Sequence, residues 1–239
     1  MPYSELTIAD LLKQKKYATC YIGKWGLCDS FETGGRHPND AGFDRFYGLV
    51  GSNDAPLRNG LKRTYNNIKH ASSQDFPIPL YSQRKVIENP VWQPTLTQRY
   101  TKESVSWIKQ QAEKNEPFFL FLSHTMPHVP IFSSPNFKNR SQAGLYGDVI
   151  EEIDWSVGQI TTTLEQCGLA ENTLVVFTSD NGPWLTYYDL AGTPGPWRDG
   201  KITTWEGGFR VPGIFWWPGT IQPRVVSGIG VNIDLIKTI

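Results

Sequence analysis

Five residues in this sequence could grip an anion and a hard metal ion: Lys24, His124, His128, Asp180 and Asn181. Each stands in a polar stretch just after a short apolar run. Asp180 and Asn181 offer one charged and one neutral oxygen, a donor pair that suits Ca²⁺ or Mg²⁺ better than a soft metal. Asp-Asn-Gly is equally a common turn, because Asn and Gly tolerate positive φ and Asp bonds its own backbone. His124 and His128 are four residues apart, yet Pro127 and Pro130 forbid the helix that a His-Glu-x-x-His zinc site needs, so both belong to a loop. Lys201 lies in a run from Arg198 to Pro212 in which glycines permit close backbone approach and aromatics wall the space. Cations gathered in such a pocket suit a small anionic ester. A solvated surface lysine is the other reading of Lys24 and Lys201. The nine Trp could stack on sugars or simply fill the core.

The elements that must position these residues alternate between helix and strand. Leu6 to Lys16 carries Leu6, Ala9 and Leu12 on one helical face and leads into a strand, Tyr17 to Ile22. Thr95 to Lys114 reads as a helix with Tyr100, Val105, Ile108 and Ala112 inward, followed by a buried strand, Phe118 to Leu122. From Leu145, the positions Val149, Ile153, Val157, Ile160 and Leu164 recur at helical spacing, and Gly168 is placed to end the helix. A strand, Leu174 to Thr178, follows, and Val211 to Trp217 closes the series. This alternation predicts an α/β fold with a mainly parallel sheet flanked by helices on both faces. Ligands bind beyond the carboxyl ends of such strands, which is where the five polar residues fall. Residues 51–94, rich in Asn and Pro, read as a long excursion over the sheet, either a substrate-selecting segment or a solvated one.

Composition narrows the function classes. With 23 Lys+Arg against 23 Asp+Glu the net charge is zero, which argues against nucleic acid as a partner. No apolar stretch is long enough to span a bilayer, and no signal-peptide pattern opens the chain. Asn139-Arg140-Ser141 is a glycan acceptor if the chain is secreted, or a chance match.

Four ordered blocks resemble the type I sulfatases, in particular the arylsulfatase A and N-acetylgalactosamine-6-sulfatase branch. They are Tyr17 to Trp25, Pro117 to Pro130, Thr173 to Pro183, and Gly200 through Pro212. Leu96 to Tyr100 and Tyr146 to Gly158 look similar to the same branch. The resemblance implies an alkaline-phosphatase-like sulfatase fold and hydrolysis of aryl or glycan sulfates. It implies Asp180 and Asn181 as ligands of one Ca²⁺ ion, with Mg²⁺ as the other hard candidate. His128 and Lys201 would hold sulfate oxygens, Lys24 would contact nucleophile and sulfate, and Ser52 would touch substrate. It also implies a secreted or lysosomal protein, with a signal peptide upstream of Met1.

The departures are equally informative. The family nucleophile is a formylglycine made from the Cys of Cys-x-Pro-x-Arg, and none of Cys20, Cys28 and Cys167 stands in that motif. Ser133 has Pro135 at the right distance but Phe137 in place of Arg, and no Asp-Asp pair occurs. Gly26 stands where the family usually has a catalytic His. The expectation is therefore that residues 1–239 are part of a sulfatase catalytic domain, incomplete at both ends and inactive alone. A two-metal phosphoesterase and a non-catalytic binder of sulfated glycans stay open as alternatives.

Overall fold

The computed structural model describes residues 1–239 except Asp29, Pro56 and Asn59. The chain divides into two compact units, Met1–Thr163 and Leu164–Ile239.

The first unit begins with helix α1 (Ile8–Gln14), opened by a capping box in which the Thr7 side chain accepts from the Asp10 N–H and Asp10 accepts from the Thr7 N–H. Strand β1 (Ala18–Lys24) then enters the sheet, followed by β2 (Arg45–Leu49). The stretch 51–94 holds helix α2 (Tyr65–Lys69) and two short strands, β3 (Leu80–Ser82) and β4 (Lys85–Glu88). Helix α3 (Leu96–Lys114) leads into β5 (Phe118–Ser123). The five strands stand in the order β4-β3-β2-β1-β5. β1 runs parallel to both β2 and β5, while β3 and β4 extend the sheet antiparallel.

The period-2 alternation of β1 explains why helices cover both faces. Tyr21 points to the side of Ala9 on α1, where it packs with Trp25, Phe43, Phe46 and Tyr81. Phe118 and Tyr47 lie on the other side, edge-on to Trp107 and Tyr100 of α3. Burial at Cys20 pushes its thiol pKa well up, so it behaves as an apolar core residue. One cation is buried here: Arg36 bonds the Asp10 carboxylate and the carbonyls of Pro2, Glu5 and Asp40.

Helix α4 (Gly144–Gln166) crosses the division between the units. Val149, Ile153 and Leu164 are buried as their spacing predicts, and Glu152, Ser156 and Thr163 are buried with them. In the second unit β6 (Val175–Thr178) pairs antiparallel with β7 (Gly213–Trp216) as a two-stranded sheet of its own. The last apolar run is thus an antiparallel partner of β6. Short helices α5 (Glu206–Phe209) and α6 (Leu235–Thr238) complete this unit. No helix among the described residues is long and apolar enough to cross a membrane.

Candidate functional site

In the first unit β1, β2 and β5 end at one edge of the sheet, and the chain leaves each end carrying a candidate. Ser123, Gly23 and Gly48 sit side by side in register. A Cβ on Gly48 would lie 1.8 Å from the Gly23 carbonyl oxygen, and one on Gly23, at φ +111, the same 1.8 Å from that of Ser123. Only glycine lets these strand ends stand as they do. The next residue on β1 is Lys24, half-buried, whose carbonyl accepts from the Tyr21 hydroxyl at 2.6 Å. Gly26 follows at φ +70, its N–H donating to the Val50 carbonyl at 2.8 Å.

The exits of β2 and β5 converge. Ser52 Oγ lies 3.4 Å from Nδ1 of His128, a half-buried ring in the loop after β5. The same nitrogen faces the Val129 carbonyl at 2.7 Å and Asn53 Oδ1 at 3.2 Å. Asn53 is fully buried. Its amide nitrogen donates to the Pro130 carbonyl at 2.9 Å and to Gln93 Oε1 at 3.1 Å, with the His128 carbonyl at 3.4 Å. Gln93 is likewise buried and donates back to the Asn53 carbonyl at 3.1 Å. The sequence reading missed Asn53 and Gln93, forty residues apart; the one signal was the polar run Gly51 to Asp54 that contains Asn53.

His124 is turned elsewhere. Its Nε2 meets Ser156 Oγ at 3.2 Å, and its ring is tilted against Tyr100. Nδ1 is buried without a hydrogen-bond partner among the described residues. Burial pushes the pKa of this imidazole down to about 4, so the ring is neutral at physiological pH. It is a packed polar residue between sheet and helices.

In the second unit the exposed Asp180 and half-buried Asn181 follow β6 in a turn held by main-chain contacts. The Gly182 N–H donates to the Gly208 carbonyl at 3.0 Å, Lys201 N–H to that of Pro183 at 2.8 Å, and Gly207 N–H to that of Arg198 at 2.9 Å. A Cβ on Gly182 would meet the Gly207 oxygen at 1.8 Å, and one on Gly200 the Pro183 oxygen at 2.3 Å. Lys201 Nζ sits 4.8 Å from the Trp184 ring centre, and Arg198 and Arg210 lie over Trp205 and Trp197. The glycine-and-aromatic run from Arg198 to Pro212 thus packs directly against the Asp180 turn. Among the described residues no group of three or more His, Cys, Asp or Glu is placed to hold a metal. Asp180 and Asn181 carry two hard oxygens, fewer than the six to eight that Ca²⁺ takes.

Ser52 and His128 are therefore brought together in the first unit, at the sheet edge where β1 delivers Lys24. Asp180, Asn181 and Lys201 are brought together in the second.

The mixed α/β sheet is parallel through β2, β1 and β5, is covered by α1 and α3, and carries Lys24, Ser52 and His128 where its parallel strands end, the place at which such sheets bind ligands. The solved PsFucS1 sulfatase from Pseudoalteromonas sp. has that fold, with a TM-score of 0.76 and 32% identity over 92% of this chain and 46% of its own. The family model described as Sulfatase matches residues 2–239, and the chain belongs to the sulfatase family. It is 36% identical to arylsulfatase G of Mus musculus, over 100% of this chain and 49% of that protein. It is 37% identical to N-acetylgalactosamine-6-sulfatase of Canis lupus familiaris, over 100% of this chain and 45% of that one. The chain thus spans about half the length of the curated relatives it matches.

Proposed function

We propose that this chain forms the sulfate-holding part of a hydrolase of aryl or glycan sulfate esters. In this reading His128 and Lys201 hold sulfate oxygens, Lys24 contacts sulfate and nucleophile, and Ser52 touches substrate. Asp180 and Asn181 supply two oxygens to one Ca²⁺ ion, or Mg²⁺ in its place, which when bound polarises the ester. Charge builds on the departing and sulfate oxygens as the ester S–O bond breaks, and cations in contact with those oxygens share it. The observation that carries the reading is the Ser52–His128 pair on the sheet edge that also ends in Lys24, in a chain matching the family throughout.

The chain binds in this reading but does not turn over. No Cys-x-Pro-x-Arg motif is present to supply the nucleophile. Gly26 has a left-handed φ that a histidine side chain would strain. Gly26 in place of the family's histidine also favours the second reading, a non-catalytic binder of sulfated glycans. The two-metal phosphoesterase is disfavoured by Asn181 in place of a second-metal His. The partner is a sulfated small molecule or glycan, as the names of the relatives indicate for those proteins, and the setting a secretory or lysosomal one.

Calorimetric titration of inorganic sulfate into the 239-residue chain, with and without Ca²⁺, tests the proposal alongside an aryl sulfate assay. Expected are sulfate binding that His128→Ala and Lys201→Met weaken, and no turnover. Failure to bind sulfate in either condition overturns the sulfate reading, clear turnover overturns the inactivity, and uptake of two zinc ions moves the assignment to the phosphoesterase.

A further inference from the structure

The buried amide of Asn53 can point only one way. Its nitrogen lies against two main-chain carbonyls, Pro130 at 2.9 Å and His128 at 3.4 Å, which cannot donate. Gln93 reinforces this, because its own nitrogen is committed to the Asn53 carbonyl at 3.1 Å, which leaves Oε1 to accept from Asn53. Oδ1 of Asn53 must therefore be the atom 3.2 Å from His128 Nδ1. The Val129 carbonyl, 2.7 Å from the same nitrogen, is also a pure acceptor. A ring nitrogen facing two acceptors has to carry the hydrogen.

We infer that Asn53, itself oriented by Gln93, is a positioning residue that fixes His128 as the Nδ1–H tautomer and sets which ring nitrogen serves the substrate. Nε2 then has the lone pair in the neutral ring, and it donates to a sulfate oxygen once it too is protonated. The excursion 51–94 gains a role in this way: it supplies both amides that aim His128. The functional consequence rests on the proposed sulfate contact of His128, whereas the tautomer does not.

The test is long-range ¹H–¹⁵N correlation NMR on the histidine-labelled chain, at a pH where the ring is neutral, with His128 assigned by the loss of its signals in His128→Gln. The expected spectrum has a protonated Nδ1 and an unprotonated Nε2. An Nε2–H ring, or fast exchange between tautomers, overturns the inference in the wild-type chain, whether or not Asn53→Ala folds. In folded Asn53→Ala the single tautomer is expected to give way to a mixture, and inorganic sulfate to bind about tenfold more weakly, the scale on which orienting partners of a histidine act. A tautomer unchanged in folded Asn53→Ala overturns the role of Asn53. If wild-type sulfate binding fails while the Nδ1–H tautomer holds, the sulfate reading falls and the positioning stands.

Discussion

The loop around His128 and the loop from Asp180 to Lys201 are built on different principles. The first is held by side chains: two buried amides, a serine hydroxyl and an imidazole bond one another and the carbonyls of Val129 and Pro130. The second is held by backbone against backbone, with Gly182, Gly200 and Gly207 removing the Cβ atoms that would keep its turns apart. A side-chain network fixes protonation and aim, because each partner's hydrogen settles its neighbour's. Main-chain packing fixes the position of the turn that carries Asp180, Asn181 and Lys201 without settling any proton. The first loop should break when a polar group changes, the second when volume is added.

The largest effect is expected at the second loop. Gly182→Ala places a methyl 1.8 Å from a main-chain oxygen that no rotamer can move, and a backbone shift of that kind costs about 3 kcal/mol or more. Urea unfolding followed by the amide signals of β6 and residues 198–208 reads the loss. A cost near that of an ordinary exposed Gly→Ala change would show that the backbone contact does not hold the turn.

Acid separates the two loops next, through His124 in the first unit. The imidazole has a folded pKa of about 4 against an ordinary value of 6.5. Between those values the unfolded chain binds the proton and the folded chain does not, so stability rises with pH. The contribution is fully present above pH 6.5 and is lost as the pH falls toward about 4, amounting to about 3 kcal/mol. Urea unfolding of the first unit, read by amide signals of β1 and α3 at pH 7 and pH 5, should show this slope. His124→Gln should flatten it, and equal slopes in the two proteins would remove His124 as its source.

The same contrast explains what could be read from the sequence. β1, β5 and α3 were legible as elements because their apolar runs answer to a local rule, the period of the element. The burial expected of Phe118 to Leu122 is not found: among the described residues β5 is half-buried, with Phe121 44% exposed, since it stands at the end of the strand order with a neighbour on one side only. β3 and β4 were not legible: Lys85, Val86 and Ile87 are exposed, and strands this short carry little pattern. Glu152 and Ser156 escaped a reading based on apolar stripes, since their burial depends on Ser134, Thr101 and His124, partners set by tertiary structure. The antiparallel pairing of β6 with β7 also has no local signature. At the candidate site, residue types near strand ends pointed to Lys24 and His128, and the family resemblance alone pointed to Ser52. The Asn53–Gln93 pair required knowing that residue 93 returns beneath residue 53.

The smallest effect probes what the aromatics add to the second loop once its backbone is in place. The Arg198 guanidinium lies 3.6 Å from the centre of the Trp205 ring, but Trp205 is 46% exposed. A cation over a ring that wet is worth only about 0.5–1 kcal/mol. A double-mutant cycle of Arg198→Met and Trp205→Leu isolates the pair from the packing each side chain makes separately. A coupling in that range leaves the main-chain contacts as the chief constraint on the loop. A coupling of about 2 kcal/mol, the scale of a desolvated cation–π pair, would make the ring and the cation co-determinants of where Lys201 sits and erase the contrast between the two loops.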